Sequence, residues 1–152
     1  MGAYMAFMGL YAVAFGGALF LARKQNRPLP EQVNTGDLLL MGVATHKLSR
    51  MLTVDKITRP LRAPFTESHG SAGAGELDDE PRGTGLQKAV GELITCPFCA
   101  GAWVAAGFTY GMLFAPGATR VAGSILAAKA ISDGLNLAYT AAKKGTEKLS
   151  DE

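Results

Sequence analysis

Two apolar stretches in the C-terminal half constrain this chain more than any other feature. Phe98 to Ala115 is apolar apart from Thr109, and Thr119 to Ala142 follows after Pro116 and Gly117. The second stretch carries polar residues at Lys129, Ser132, Asp133, Asn136 and Thr140, at spacings of 3, 1, 3 and 4. Those spacings place all five on one face of a helix. A charged pair in mid-helix is costly in lipid and needs a protein partner or water. The pattern predicts a small integral membrane protein with an intramembrane polar seam at Lys129, Ser132, Asp133 and Asn136.

A third apolar stretch lies at the start. Ala3 to Ala22 is twenty residues without a charge, and a span needs about 20. A secretory signal fits less well, because no basic region precedes the stretch and Arg23-Lys24 follow it. The 152 residues form one domain, 1–152. The expected fold class is an all-α, helical integral membrane protein with three transmembrane helices at 3–22, 98–115 and 119–142. Pro28 and Pro30 end any continuation of the first.

Thr35 or Asn34 is placed to cap the next helix, 36–53. Leu40, Val43, Ala44, Leu48, Met51 and Leu52 fall on one face, and His46, Ser49, Arg50 and Thr53 on the other. Its uninterrupted apolar run, Leu38 to Ala44, is too short to span. The expectation is an amphipathic interfacial helix, with a fourth transmembrane helix as the alternative. With three spans, 13 of the 15 basic residues fall on one side, from Arg23 through Lys88 and after Lys143. Basic loops stay cytoplasmic. The expected placement is therefore multi-pass in a bacterial inner membrane, N-terminus outside and C-terminus cytoplasmic.

Asp55 to Phe65 reads as extended, because Pro60 and Pro64 restrict the residues before them. Residues 66–85 are rich in Gly, Ser and acid, including Asp78-Asp79-Glu80, and read as a flexible loop. A short amphipathic helix from about Leu86 to Ile94 then leads into Cys96-Pro97-Phe98-Cys99.

That motif is the sharpest local signal. Pro favours the first helical position, so Cys96 becomes the N-cap and Cys99 lies in the first turn. Backbone N–H groups at a helix start lower a thiol's pKa. Three readings stay open: reduced cysteines that pack, two ligands of a zinc site, or a thiol–disulfide couple. Structural zinc usually takes four ligands, so His46, His69, Asp55 or Glu92, or a second chain, would have to contribute. No cofactor is expected otherwise. Thioredoxin-like catalysis would usually bring a βαβ pattern, which this chain lacks.

Arg50, Asp55, Lys56, Arg59 and Arg62 cluster beside the 36–53 helix, with Glu92 as a further candidate. They suit an anionic headgroup or an acidic partner; internal pairing, such as Arg59 or Arg62 to Glu92, is the plainer reading. Small residues at Gly123, Ala127, Ala130 and Gly134 against Gly101, Ala105 and Gly107 suit close helix packing. Partners are then the bilayer and another membrane protein or a second copy. A net charge of +2 gives no reason to expect nucleic acid. No Ser/His/Asp set or phosphate loop stands out, so an enzyme is not the leading expectation. The leading function is a non-enzymatic scaffold or accessory subunit at the cytoplasmic face. A membrane thiol–disulfide oxidoreductase and a zinc-binding module are the alternatives.

Several stretches together carry a resemblance: Gly42 to Arg50, Asp55 to Thr58, Pro60 to Phe65, Gly91 to Trp103, and Ser132-Asp133. In these the chain resembles a family of small bacterial membrane proteins of unknown function, one of them associated with sporulation. The resemblance runs from about Asp37 to Tyr139. It implies a helical membrane protein and supplies no reaction, so it assigns no catalytic residue.

Overall fold

The computed structural model describes residues 2–27, 29 and 32–150, with side chains to 147. Pro28 and Pro30, expected to break the first helix, lie outside the described residues. Four long helices carry the fold: α1 (Gly2–Lys24), α2 (Thr35–Thr53), α5 (Pro97–Phe114) and α6 (Pro116–Ser150). Between α2 and α5 sit a 3-10 turn (Lys56–Thr58), α3 (Arg59–Arg62), strands β1 (Thr66–Gly73) and β2 (Glu76–Pro81), and α4 (Gly85–Thr95). This intervening part forms a small polar headpiece.

Helix ends follow local chemistry. Asn34 caps α2 by accepting from the N–H groups of Gly36 (2.8 Å) and Asp37 (3.4 Å). Cys96 caps α5, with Pro97 at its first position. Pro116 opens α6 directly after α5 ends.

The directions of the helices can be read from matched contacts. Along α1 and α5, Tyr4 donates to Glu92 just ahead of α5, and the Tyr11 ring lies 5.1 Å from Trp103. Phe15 stacks on Tyr110 at 5.4 Å, and Arg27 donates to the carbonyls of Leu113 and Phe114. Numbers rise together, so α1 and α5 run the same way. Asp37 meets Arg120, Leu40 lies over Gly123, and Lys47 meets Asp133, so α2 and α6 also run together. The tight turn at Ala115 sets α5 against α6. The bundle thus has a headpiece end, with Cys96, Asp55 and Asp133, and a far end, with Arg27, Asp37 and Arg120.

This arrangement departs from the three-helix expectation. Arg23 through Lys88 do not share one side: Arg27 lies at the far end, whereas Arg62 lies in the headpiece. Nor does α2 lie apart from the bundle. It packs along both α5 and α6, and it buries Lys47, Ser49 and Thr53 as well as Ala44. Leu38, Leu39 and Val43 point outward. The inward side is mixed: Ala44 and Lys47 are buried together, Leu40 covers Gly123, and Ser49 and Thr53 are buried towards the headpiece end, while His46 is exposed. Gly101 approaches Ser49 and Gly123 sits under Leu40, so both face α2 rather than each other.

The fold is also not purely helical. Residues 66–85, expected as a flexible loop, form most of an antiparallel hairpin pairing Thr66 with Pro81 and Gly73 with Glu76. The turn needs Gly75, whose φ of 84° disfavours a side chain. The segment after α2 pairs with the hairpin along one edge, Asp55 opposite Glu76. Lys56 N–H donates to Gly75 O (2.9 Å), and Leu77 N–H donates to Val54 O (2.8 Å). At its base, Gly91 of α4 passes so close that a Cβ there would lie 2.6 Å from the Phe65 carbonyl oxygen.

The exterior is strongly apolar. Accessible surface is 10140 Å², against about 7,300 Å² for a compact monomer of this mass. Val13, Val121, Ile125 and Leu135 are among many large apolar side chains left exposed. Two helices, Gly2–Lys24 and Pro97–Phe114, are long and apolar enough to cross a membrane, and only 6% of either apolar window is buried.

Candidate functional site

The headpiece is built around one arginine. Arg62 is 1% exposed. Its Nε and Nη2 both donate to Asp79 Oδ2, at 3.0 and 2.8 Å. Its Nη1 donates to the carbonyls of Leu52 and Asp55 (3.1 Å each) and to Thr58 Oγ1 (2.7 Å). One guanidinium therefore ties the end of α2, the 3-10 turn and β2 together. Its planar fork of donors suits this task and an ammonium would not. Asp79 is equally buried, and its second oxygen, Oδ1, has no partner among the described residues.

A second charge chain locks the headpiece to the bundle. Lys47 Nζ lies 2.9 Å from Asp55 and 3.0 Å from Asp133, and Asp133 also pairs with Lys129. The seam expected within the span therefore has its partners. Counting about 1.5 Å per residue from Pro116, Asp133 lies roughly 26 Å along α6. That places it level with the start of α5 and beside Asp55. The seam belongs to the headpiece end, while Ser132 and Asn136 are exposed.

The expected basic cluster divides in two. Arg50 pairs with Glu76, Asp55 with Lys47 and Arg62 with Asp79. Glu92 accepts from Tyr4, so it is not the acid that Arg59 or Arg62 meets. Lys56 and Arg59 remain exposed, and neither forms an ion pair among the described residues. Beside them Ile57 is 80% exposed and Leu61 is 68% exposed. Of the acids that complete the pairs, Asp79 belongs to the acidic run Asp78-Asp79-Glu80 and Glu76 to the Gly- and Ser-rich stretch before it, where the sequence alone gives no sign of a partner. Lys47 falls within the apolar face of the 36–53 pattern, one turn from Val43, Ala44 and Met51, so the pattern gives no sign of its acidic partners.

The cysteines sit as their motif implies. Cys96 Sγ accepts from the Cys99 N–H at 3.2 Å, Cys99 is exposed, and both thiols are free. Burial pushes the Cys96 thiol up. The Cys99 thiol and the backbone N–H groups of Cys99 and Phe98 outweigh that and hold it below its ordinary range. Among the described residues no three His, Cys, Asp or Glu side chains gather as a metal site, so His46 does not complete one with the cysteines. The Trp103 ring packs against the rings of Tyr11 and Phe15, at 5.1 and 5.8 Å.

Comparison with known proteins places this geometry in context. No solved structure matches the chain. "Sporulation protein YjcA" of Bacillus subtilis (strain 168) is 35% identical over 76 residues, covering 48% of this chain. The match spans less than two thirds of that relative, 64%. A family described as "Protein of unknown function (DUF1360)" matches residues 40–139. That range runs from the middle of α2 to α6 and includes Lys47, Arg62, Asp79, Asp133 and both cysteines, while α1 falls before it. The shared part is thus the headpiece with the three helices that hold it, and on this match the chain belongs to the DUF1360 family of proteins of unknown function.

Proposed function

We propose that this protein is a multi-pass membrane scaffold or accessory subunit that offers its headpiece to an acidic partner at the cytoplasmic face. Four crossing helices, α1, α2, α5 and α6, support the reading best, given the packing of α2 along α5 and α6, its exposed Leu38, Leu39 and Val43, and the shared direction of α1 and α5. Basic residues weight the headpiece end: Lys56, Arg59, Arg62, Arg82, Lys88, Lys143 and Lys144 stand against Arg23, Lys24, Arg27 and Arg120 at the far end. The positive-inside tendency then keeps the headpiece and both cysteines cytoplasmic. It also turns the start of α1 inward, whereas three spans had it outside.

One observation carries the function: Asp55, Glu76 and Asp79 are taken up in internal pairs, while Lys56 and Arg59 are exposed beside Ile57 and Leu61. Apolar side chains flanked by unpaired cations suit an acidic protein surface with an apolar centre. The test is chemical crosslinking in the native host membrane, comparing wild type with Lys56→Glu/Arg59→Glu. The scaffold reading expects discrete crosslinked products that the charge reversal removes while the protein stays at normal level. Products unchanged by the reversal would refute it.

A second reading has its own observation, the acidic Cys96 thiol beside an exposed Cys99. It describes a thiol–disulfide couple at a cytoplasmic helix start. Activity of a membrane extract that survives Cys96→Ser would eliminate it.

A further inference from the structure

A groove of about 940 Å³ lies between α1, α2 and α5 near the far end, where Leu29 and the residues ahead of α2, Gln32 to Asn34, also line it. Phe15 and Leu19 form one wall, Met41 another, and Ala105 with Ala106 the floor. The alanines are the reason for the depth: α1 touches α5 through large aromatic rings, and the short side chains between leave space. At the mouth stand Arg27, Asp37 and Arg120. Arg120 holds Asp37 through two hydrogen bonds of 2.9 and 2.7 Å. Arg27 lies on the Phe114 ring and binds backbone carbonyls, with no carboxylate against it among the described residues. Two guanidinium groups against one carboxylate leave the mouth net positive.

We propose that this groove holds an anionic phospholipid, an acyl chain against the alanine floor and the phosphate at Arg27 and Arg120. The volume falls within the range of small-molecule sites, about 300–1,000 Å³. A phosphate is the natural complement of a guanidinium pair. A largely apolar groove between helices whose outer surfaces are apolar has lipid tails as its available occupant. This rests on α1, α2 and α5 lying in the bilayer.

Trp103 is the single tryptophan and packs on the α1 rings beside the groove. Its fluorescence therefore reports bound lipid. The protein is reconstituted in vesicles of equal phosphatidylglycerol and phosphatidylcholine, with one or the other brominated. The expected result is stronger quenching by brominated phosphatidylglycerol, an apparent preference of about fivefold. Arg27→Gln should abolish the preference and Asp37→Asn should increase it. Ala105→Phe should reduce quenching by both lipids. Equal quenching by the two lipids in wild type would overturn the proposal, as would a preference indifferent to Arg27→Gln and Asp37→Asn. Failure of the topology would appear differently, as no quenching by either lipid.

Discussion

The Nη2 of Arg62 lies 2.8 Å from Asp79 Oδ2, and both side chains are shut away from solvent. The two residues are seventeen positions apart and belong to α3 and β2. Removing one partner leaves the other charged and buried, which costs about 3–5 kcal/mol. Arg62→Ala and Asp79→Ala should each open the hairpin, read as faster hydrogen exchange over residues 66–81. Arg62→Met/Asp79→Leu should exchange more slowly than either single variant, because no unpaired charge remains. Exchange unchanged by the single variants would deny the pair its anchoring role.

Lys47 and Lys129 contact the same carboxylate, Asp133, with unequal consequences. Lys47 is buried between two acids, whereas the Lys129 side chain is 56% exposed. Lys47→Met leaves Asp55 and Asp133 facing each other and should cost about 3–5 kcal/mol. Lys129→Met removes a surface i,i+4 pair and should cost about 0–1 kcal/mol. Thermal unfolding in detergent, followed by Trp103 fluorescence, separates the two. Equal losses would mean that the Lys47 bridge to the headpiece contributes nothing.

Topology has a direct measurement. Single cysteines are placed at Gln25 and Ser71 in a Cys96→Ser/Cys99→Ser background, and intact cells meet an impermeant thiol reagent. Four crossings predict that Gln25→Cys labels from outside and Ser71→Cys only after lysis. Three crossings with α2 at the interface predict protection of both. The Gln25 site alone distinguishes them, because the headpiece is cytoplasmic in either case.

The Cys96 thiol lies below its ordinary range, so its thiolate forms at lower pH. Alkylation follows the thiolate. In a Cys99→Ser background the hydroxyl still donates, and the alkylation rate should rise with a midpoint below about 8.5. In Cys99→Ala that donor is lost and the midpoint should move upward. Identical profiles would show that the Cys99 side chain does not acidify Cys96.

Elements fixed by local chemistry were legible in sequence. Asn34 at the start of α2, Pro97 after Cys96, and the long apolar runs of α1 and α5 each act within a turn or two. The hairpin was not legible, because Thr66 to Gly73 has little β-branched or aromatic content. Its register depends instead on Val54, Lys56 and Arg62, which belong to other elements. Which side of α2 is covered was not legible from its two faces: His46 of the polar face is exposed, whereas Ala44 of the apolar face is buried. Ser49 and Thr53 face helices that only tertiary structure brings near, and Lys47 finds Asp133 across 86 positions. The direction of α1 was equally hidden, since Glu92 and Phe114 reveal it only once α5 is in place.

The contacts of α1 with the bundle fall in a row, Tyr4 to Glu92, Tyr11 to Trp103, Phe15 to Tyr110, Arg27 to Phe114. A row of contacts acts like the spine of a book. It sets the height and direction of the page but not the angle at which it stands.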